Sequence, residues 1–184
     1  MAPDLLGHVL TRRLTDGTLL AARIVETEAY EPDDPASHSF RGETPRNAVM
    51  FGSPGSLYVY FTYGMHFCMN VVTARRGVGS AVLLRSGEPL EGVERMATHR
   101  GREAVRELCS GPARWCQAFA VDRALDGEDL VAGSAVWIER GERAAAIVSG
   151  PRVGVTRGTD RDWRFSIEED PFVSKGRPAR RSPN

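Results

Sequence analysis

The sequence predicts an α+β fold in one domain, and three observations carry that prediction. Strand-like runs come first, helical spacing follows, and short strands return at the end. The connections between the early strands are too short for helical crossovers, so their sheet must be mostly antiparallel. The chain has 184 residues, 41% of them hydrophobic, which is enough for one sizeable core and short for two.

Taken in order, "HVLTRRLTDGTLLAARIVETEAY" holds two β-like runs around Asp16-Gly17, a dipeptide that tolerates the positive φ of a tight hairpin. The stretch "EPDDPASHSFRGETPRN" is rich in Pro, Asp, Ser and Gly and reads as a long loop. Its end resembles a helix start, with Thr44 as N-cap and Pro45 at the first helical position. In "SLYVYFTYGMHFCMNVVTARR" two more strands pivot near Tyr63-Gly64, and "GSAVLLRSG" supplies another. From Pro89 to Val121 the spacing becomes helical, with Ser110 as a candidate cap for "SGPARWCQAFAV". Further strands are expected in "SAVWIER", "AAAIVSGPRVGVT" and "DWRFSIEE", and the basic, proline-containing end "KGRPARRSPN" reads as a disordered tail.

Composition excludes several classes. Cys68, Cys109 and Cys116 are an odd set without a CxxC pair, which argues against disulfides and zinc knuckles. His8, His38, His66 and His99 never fall at ligand spacing, so neither a metal nor a cofactor is expected. Every apolar run is interrupted before the roughly 20 residues a membrane span requires, and the N-terminus lacks a signal-peptide pattern, so the expectation is a soluble, cytoplasmic chain. Basic and acidic residues balance at 24 each, yet Lys175 is the one lysine. A mechanism that forms a Schiff base through an internal lysine has no candidate before it.

The chemistry concentrates in "IVETEAY". Strand alternation puts Ile24, Glu26, Glu28 and Tyr30 on one face and Val25, Thr27 and Ala29 on the other. Two carboxylates two residues apart have Cα atoms about 6.6 Å apart, near the roughly 6.5–9.5 Å separation of inverting glycosidase carboxyls. A solvated strand face explains the same pattern without catalysis. Tyr58 and Tyr60 share a face of the next strand, and Tyr63 at a hairpin tip is either an aromatic at the edge of the core or a wedge against a planar ligand. Asn70 and Arg85 interrupt apolar runs and demand partners. For Arg85 an ion pair with one of the glutamates and a ligand contact are equally open. His38, taken alone, reads as an exposed loop histidine. Carboxylates, aromatics and an arginine beside a long loop suit attack on a glycosidic bond, in a sugar hydrolase or in a nucleobase glycosylase. Arginine in place of lysine and the exposed tyrosine lean towards nucleic acid.

The combination "LLGHVLTRRL", "RIVETEAY", "HSFRGETPRN", "GSLYVYFTYGM.FCMN", "AVLLRSGEPLEG", "RELCSGPARWCQA" and "PRVGV" resembles the alkyladenine (3-methyladenine, methylpurine) DNA glycosylase family, from about Leu5 to Ser174. The resemblance implies a curved antiparallel sheet surrounded by helices, unlike the helix-hairpin-helix glycosylases. It sets a domain at 1–174, followed by a basic tail at 175–184, with no N-terminal extension. It implies a glycosylase of base excision repair acting on double-stranded DNA with damaged purines, cytoplasmic and, in a bacterium, nucleoid-associated; with no lysine before Lys175 the enzyme is expected to be monofunctional, leaving an abasic site. Glu28 matches the general base; Arg85 and the backbone carbonyl of Val153 match the groups that position its water. Tyr30, His38 and Tyr60 match the base pocket, Asn70 the residue that crowds the guanine 2-amino group, and Tyr63 the side chain inserted into the duplex. Thr44, Arg46, Met65 and Arg114 fall where the family touches the DNA backbone or groove. Glu26 is expected to support the site by pairing with an arginine. His66 stands where an aromatic is expected, and Arg114 where a lysine would be unsurprising. A monomer is expected, since asymmetric damage requires no two-fold partner. The opposing interpretation is a non-catalytic protein of the same fold that binds distorted DNA.

Overall fold

A computed structural model describes residues 1–176. Its strands are β1 (Val9–Arg13), β2 (Leu19–Tyr30), β3 (Leu57–Thr62), β4 (His66–Val72), β5 (Ala81–Glu91), β6 (Val136–Glu139), β7 (Ile147–Gly150) and β8 (Arg164–Ile167). Helices α1 (Val93–Arg100), α2 (Val105–Leu108) and α3 (Pro112–Ala118) fall between β5 and β6. The predicted α+β class is the observed one. The strands run β3-β4-β5-β2-β1-β6, every pair is antiparallel, and β8 joins the second half of β2 with β7 outside it.

The hairpin at Asp16-Gly17 forms as expected. Gly17 has φ 84°, and the Asp16 carboxylate accepts the Thr18 N–H at 3.0 Å. The carboxyl pKa falls to about 2, because the Thr18 donors and Arg95 favour the anion.

β2 is 12 residues long and occupies the centre of the sheet. Its first half pairs with β1, and its second half pairs with β8 on the same edge. Against β5 its register shifts at three places, Ala21/Ala22, Ile24/Glu26 and Glu26/Thr27, and only the middle one puts the extra residue, Val25, on β2. That one extra residue reverses which way the following β2 side chains point, while the other two shifts add residues to β5 and leave the facing of β2 unchanged. Simple alternation is therefore corrected. Leu20, Ala22 and Ile24 pack into the core on the helical side, whereas past the shifts Ala29 takes that side and Glu28 and Tyr30 turn away from it. Ile24 does not share a face with Glu28.

Two apolar clusters separate the faces. The larger joins Leu57, Val59, Met69, Val71, Val82 and Leu84 to Trp115, Phe119 and Met96 of the helical layer. The smaller, Met50, Tyr58, Val72 and Ala81, lies on the other face with Tyr30 and Tyr60 packed against it. That second face carries the site.

Three boundary expectations are corrected. No α-helix starts at Thr44: the Thr44 N–H and hydroxyl donate to Asn47 Oδ1 at 2.6 and 2.9 Å, and only a 3-10 turn follows at Ala48–Phe51. The capping chemistry runs backwards, from Thr44 to Asn47. β5 continues through Pro89 to Glu91, and helix begins only after Gly92, whose φ of 73° turns the chain. Ser110 does not cap α3. Gly111 is the N-cap, Pro112 opens the helix, and the Ser110 hydroxyl accepts from Arg114 instead. The tail expectation falls mostly on residues 177–184, outside the described residues.

Candidate active site

Pairing register sets the site before any side chain does. Tyr58 opposes Asn70, Asn70 opposes Leu83, Leu83 opposes Glu28, and Glu28 opposes Arg164, so one row crosses β3, β4, β5, β2 and β8. A second row joins Val72, Ala81 and Tyr30. Residues remote in sequence thus meet on one surface.

The glutamates are no solvated strand face, for both have 0% side-chain exposure. Glu28 Oε1 accepts the Val153 N–H at 2.8 Å and Oε2 accepts the Tyr30 hydroxyl at 3.0 Å. Arg85 Nη1 lies 3.6 Å from Glu28, and its Nε lies 3.2 Å from Glu26. The open question about Arg85 is answered by an ion pair with each glutamate. Glu26 is held further by Arg164 Nε and by the Ser174 N–H at 2.8 Å. This expected support for Glu26 comes from β8 and from the segment after it.

Burial raises the Glu28 pKa above the ordinary carboxylate range, against the opposing pull of Arg85, the Val153 N–H and Tyr30; Glu26 adds a small upward push. Desolvation, and then the Glu28 charge, push the Tyr30 phenol well up, so Tyr30 is a neutral donor. A carboxylate that binds its proton more tightly than usual can accept one from water near neutral pH. Arg85 compensates its charge when it is ionised.

Beside this dyad lies a cavity of about 80 Å³ lined by Tyr30, Ala36, His38, Met50, Tyr58, Tyr60 and Asn70. His38 meets Tyr60 edge-on with centroids 4.4 Å apart, and its Nδ1 is 3.0 Å from the Tyr58 hydroxyl. His38 keeps an exposed surface, as a loop histidine should, yet its ring is fixed on the pocket wall. Desolvation and the nearby Arg46 lower its pKa, which favours the neutral ring. Asn70 is buried and donates to the Tyr58 carbonyl at 3.0 Å. Hollows of about 330 and 530 Å³ elsewhere contain none of Tyr30, His38, Tyr60 and Asn70. Size alone does not mark the chemistry.

The groups expected to touch DNA are not among the residues that line the pocket. Tyr63 is 86% exposed at the β3–β4 tip with φ 52°, and Met65 beside it is 67% exposed. Arg46 donates from the long loop to the Phe61 carbonyl at 3.0 Å, beneath that tip. Thr44 and His66 are exposed on the loop and hairpin, and Arg114 is exposed on α3.

Sequence reading missed Asn47, Arg152 with Asp34, and Arg164. Asn47 Nδ2 donates to the His38 carbonyl at 2.9 Å and so shapes the loop that presents His38. Arg152 immediately precedes Val153 and pairs with Asp34, with both side chains fully buried. The segment "PRVGV" held that signal, a charged residue next to the one chosen. Among the described residues no group of three or more His, Cys, Asp or Glu could hold a metal ion, and no helix is long and apolar enough to cross a membrane.

Comparisons agree with this geometry. The profile of the Methylpurine-DNA glycosylase (MPG) family matches residues 1–171. A protein of Carboxydothermus hydrogenoformans, whose name carries the words 3-methyladenine DNA glycosylase, is 49% identical over 177 residues, covering 95% of this chain and 92% of its own. One from Streptomyces avermitilis with the same words in its name is 50% identical over 181 residues, 95% of this chain and 84% of its own. The mouse DNA-3-methyladenine glycosylase is 47% identical over 192 residues, which cover 95% of this chain and 57% of the mouse protein. With a match over nearly its whole length and a buried carboxylate–arginine pair beside an aromatic cavity, this chain belongs to the methylpurine-DNA glycosylase family.

Proposed function

We propose that the protein is a monofunctional DNA glycosylase of base excision repair, which turns an alkylated purine out of double-stranded DNA and hydrolyses its glycosidic bond. The observation that carries this reading is Glu28, a buried carboxylate of raised pKa held by Val153, Tyr30 and Arg85 at the edge of an aromatic cavity. Extrusion costs a few kcal/mol, less for a damaged base. Insertion of Tyr63 offsets part of it, since stacking contributes on the order of 1–3 kcal/mol per base. The base enters between Tyr30 and the wall formed by His38 and Tyr60, and an alkylated, cationic purine gains cation–π attraction of about 0.5–2 kcal/mol per contact. Asn70 crowds a guanine 2-amino group and discriminates against the undamaged base.

In the chemical step Glu28 accepts a proton from water, with the Val153 carbonyl and Arg85 orienting it. The water oxygen bonds to C1′, the C1′–N bond breaks, and its electron pair leaves with the base. A cationic purine departs as a neutral molecule. Hypoxanthine, being neutral, needs a proton or strong hydrogen bonds. The products are free base and an abasic site. Arg46, Met65, Thr44 and Arg114 steady the duplex, and the protein acts as a monomer. Since Lys175 is the one lysine, strand cleavage by β-elimination is not expected.

The test uses duplexes carrying 3-methyladenine, 7-methylguanine, hypoxanthine or ethenoadenine, with free base measured for wild type and Glu28→Gln. Wild type should release base and the variant should lose at least about 100-fold. Binding without release by wild type would establish the non-catalytic alternative. A covalent adduct trapped by borohydride would overturn the monofunctional assignment.

A further inference from the structure

One buried cluster against the base cavity takes no part in the reaction above. Arg152 Nη2 donates to Asp34 Oδ1 at 2.9 Å, and Nη1 donates to the other Asp34 oxygen and to the Ala29 carbonyl, the latter at 2.9 Å. A further bond runs from Nη2 to the Gly158 carbonyl at 3.2 Å. The guanidinium carbon lies 4.6 Å from the centre of the Tyr30 ring and 5.5 Å from that of Trp163. Arg161 stacks on Trp163 at 4.4 Å and pairs with Asp33. Tyr30 lines the cavity but Arg152 does not, so the cation covers the ring face turned away from the base.

We propose that Arg152 is a specificity-determining positioning residue, which fixes the plane of Tyr30 from behind and lowers that ring's preference for a cationic base over a neutral one. The inference rests on the glycosylase reading. A ring attracts a cation through the negative charge of its face, and a cation already stacked behind it weakens that attraction for a second one in front. Asp34 cancels part of the Arg152 charge, yet the guanidinium is the partner stacked on the ring, so the pair presents its positive end to Tyr30. A neutral purine feels little of this field. The geometry therefore moderates a pocket that would otherwise favour charged lesions strongly, and keeps neutral ones within its range.

Two variants with opposite expected signs provide the test, read as the ratio of single-turnover release of 7-methylguanine to that of hypoxanthine from the same duplex sequence. Arg152→Met combined with Asp34→Asn removes both charges, a replacement that buried ion pairs often tolerate, and should raise the ratio about threefold or more. Asp34→Asn alone leaves the guanidinium uncompensated behind Tyr30 and should lower it. Each protein is assayed below its own melting midpoint, and should the double variant fail to fold, the single variant decides the question. An equal loss on both lesions means that Arg152 only holds the structure, and the inference falls. Wild type that releases neither base refutes the glycosylase reading itself.

Discussion

At the scale of single residues, the general-base role proposed for Glu28 would tie activity to stability. Burial raises its pKa, so the folded protein holds that proton more tightly than the unfolded chain does. Stability from this group is therefore greatest at low pH and declines as pH rises from the unfolded value, about 4.5, through the raised folded one. Glu28→Gln should remove that decline, so the variant should melt at a higher temperature than wild type at pH 7–8 while excising almost nothing. Thermal melts from pH 4 to 8 would show it, and a variant less stable than wild type throughout that range would contradict it. Excision by wild type should fall as pH drops through the raised pKa, above the ordinary carboxylate range. Burial sets this limb, opposed by Arg85, the Val153 N–H and Tyr30 and aided slightly by Glu26.

At the scale of elements, the tip of the β3–β4 hairpin and the β5–α1 junction show opposite uses of backbone strain. Tyr63 holds a left-handed conformation at φ 52° that favours glycine, with its side chain exposed. Tyr63→Gly should leave stability within about 1 kcal/mol of wild type, yet lower excision from duplex DNA by roughly tenfold, because the wedge is gone. Unchanged duplex excision would refute the insertion role. At Gly92, φ is 73° and an added Cβ would lie 2.4 Å from the Leu19 carbonyl oxygen. Gly92→Ala should destabilise the fold by roughly 2–3 kcal/mol in urea unfolding, since a backbone oxygen cannot move aside as a flexible side chain can.

At the scale of the whole molecule, DNA attraction must come from local arginines, because the formal net charge is zero. Arg46 and Arg114 are exposed, the first beneath the hairpin tip and the second on α3. Each change to Ala should weaken binding to all duplexes alike and reduce the slope of log affinity against log salt by about 1. A loss confined to damaged duplex would place the affected arginine at the lesion instead.

The sequence by itself determined the α+β class, the two hairpins and the core strands, because alternation and turn chemistry are local properties that neighbouring residues settle. It also marked Asn70 and Arg85, since polar groups inside apolar runs must find partners, and strand spacing marked the Glu26–Glu28 pair, whereas the resemblance to a family chose Glu28 and Tyr30. The cap at Thr44 and the end of β5 were misread where a distant or unexpected partner won: Asn47 receives the Thr44 donors, and pairing with β2 keeps Pro89 in a strand. Only the tertiary structure decided that Ile24 leaves the face of Glu28, because a register shift depends on which strand lies alongside. It alone brought Arg164 to Glu26, 138 positions away, and set Arg152 behind Tyr30. Such pairings are fixed by sheet register and burial, which no local pattern encodes.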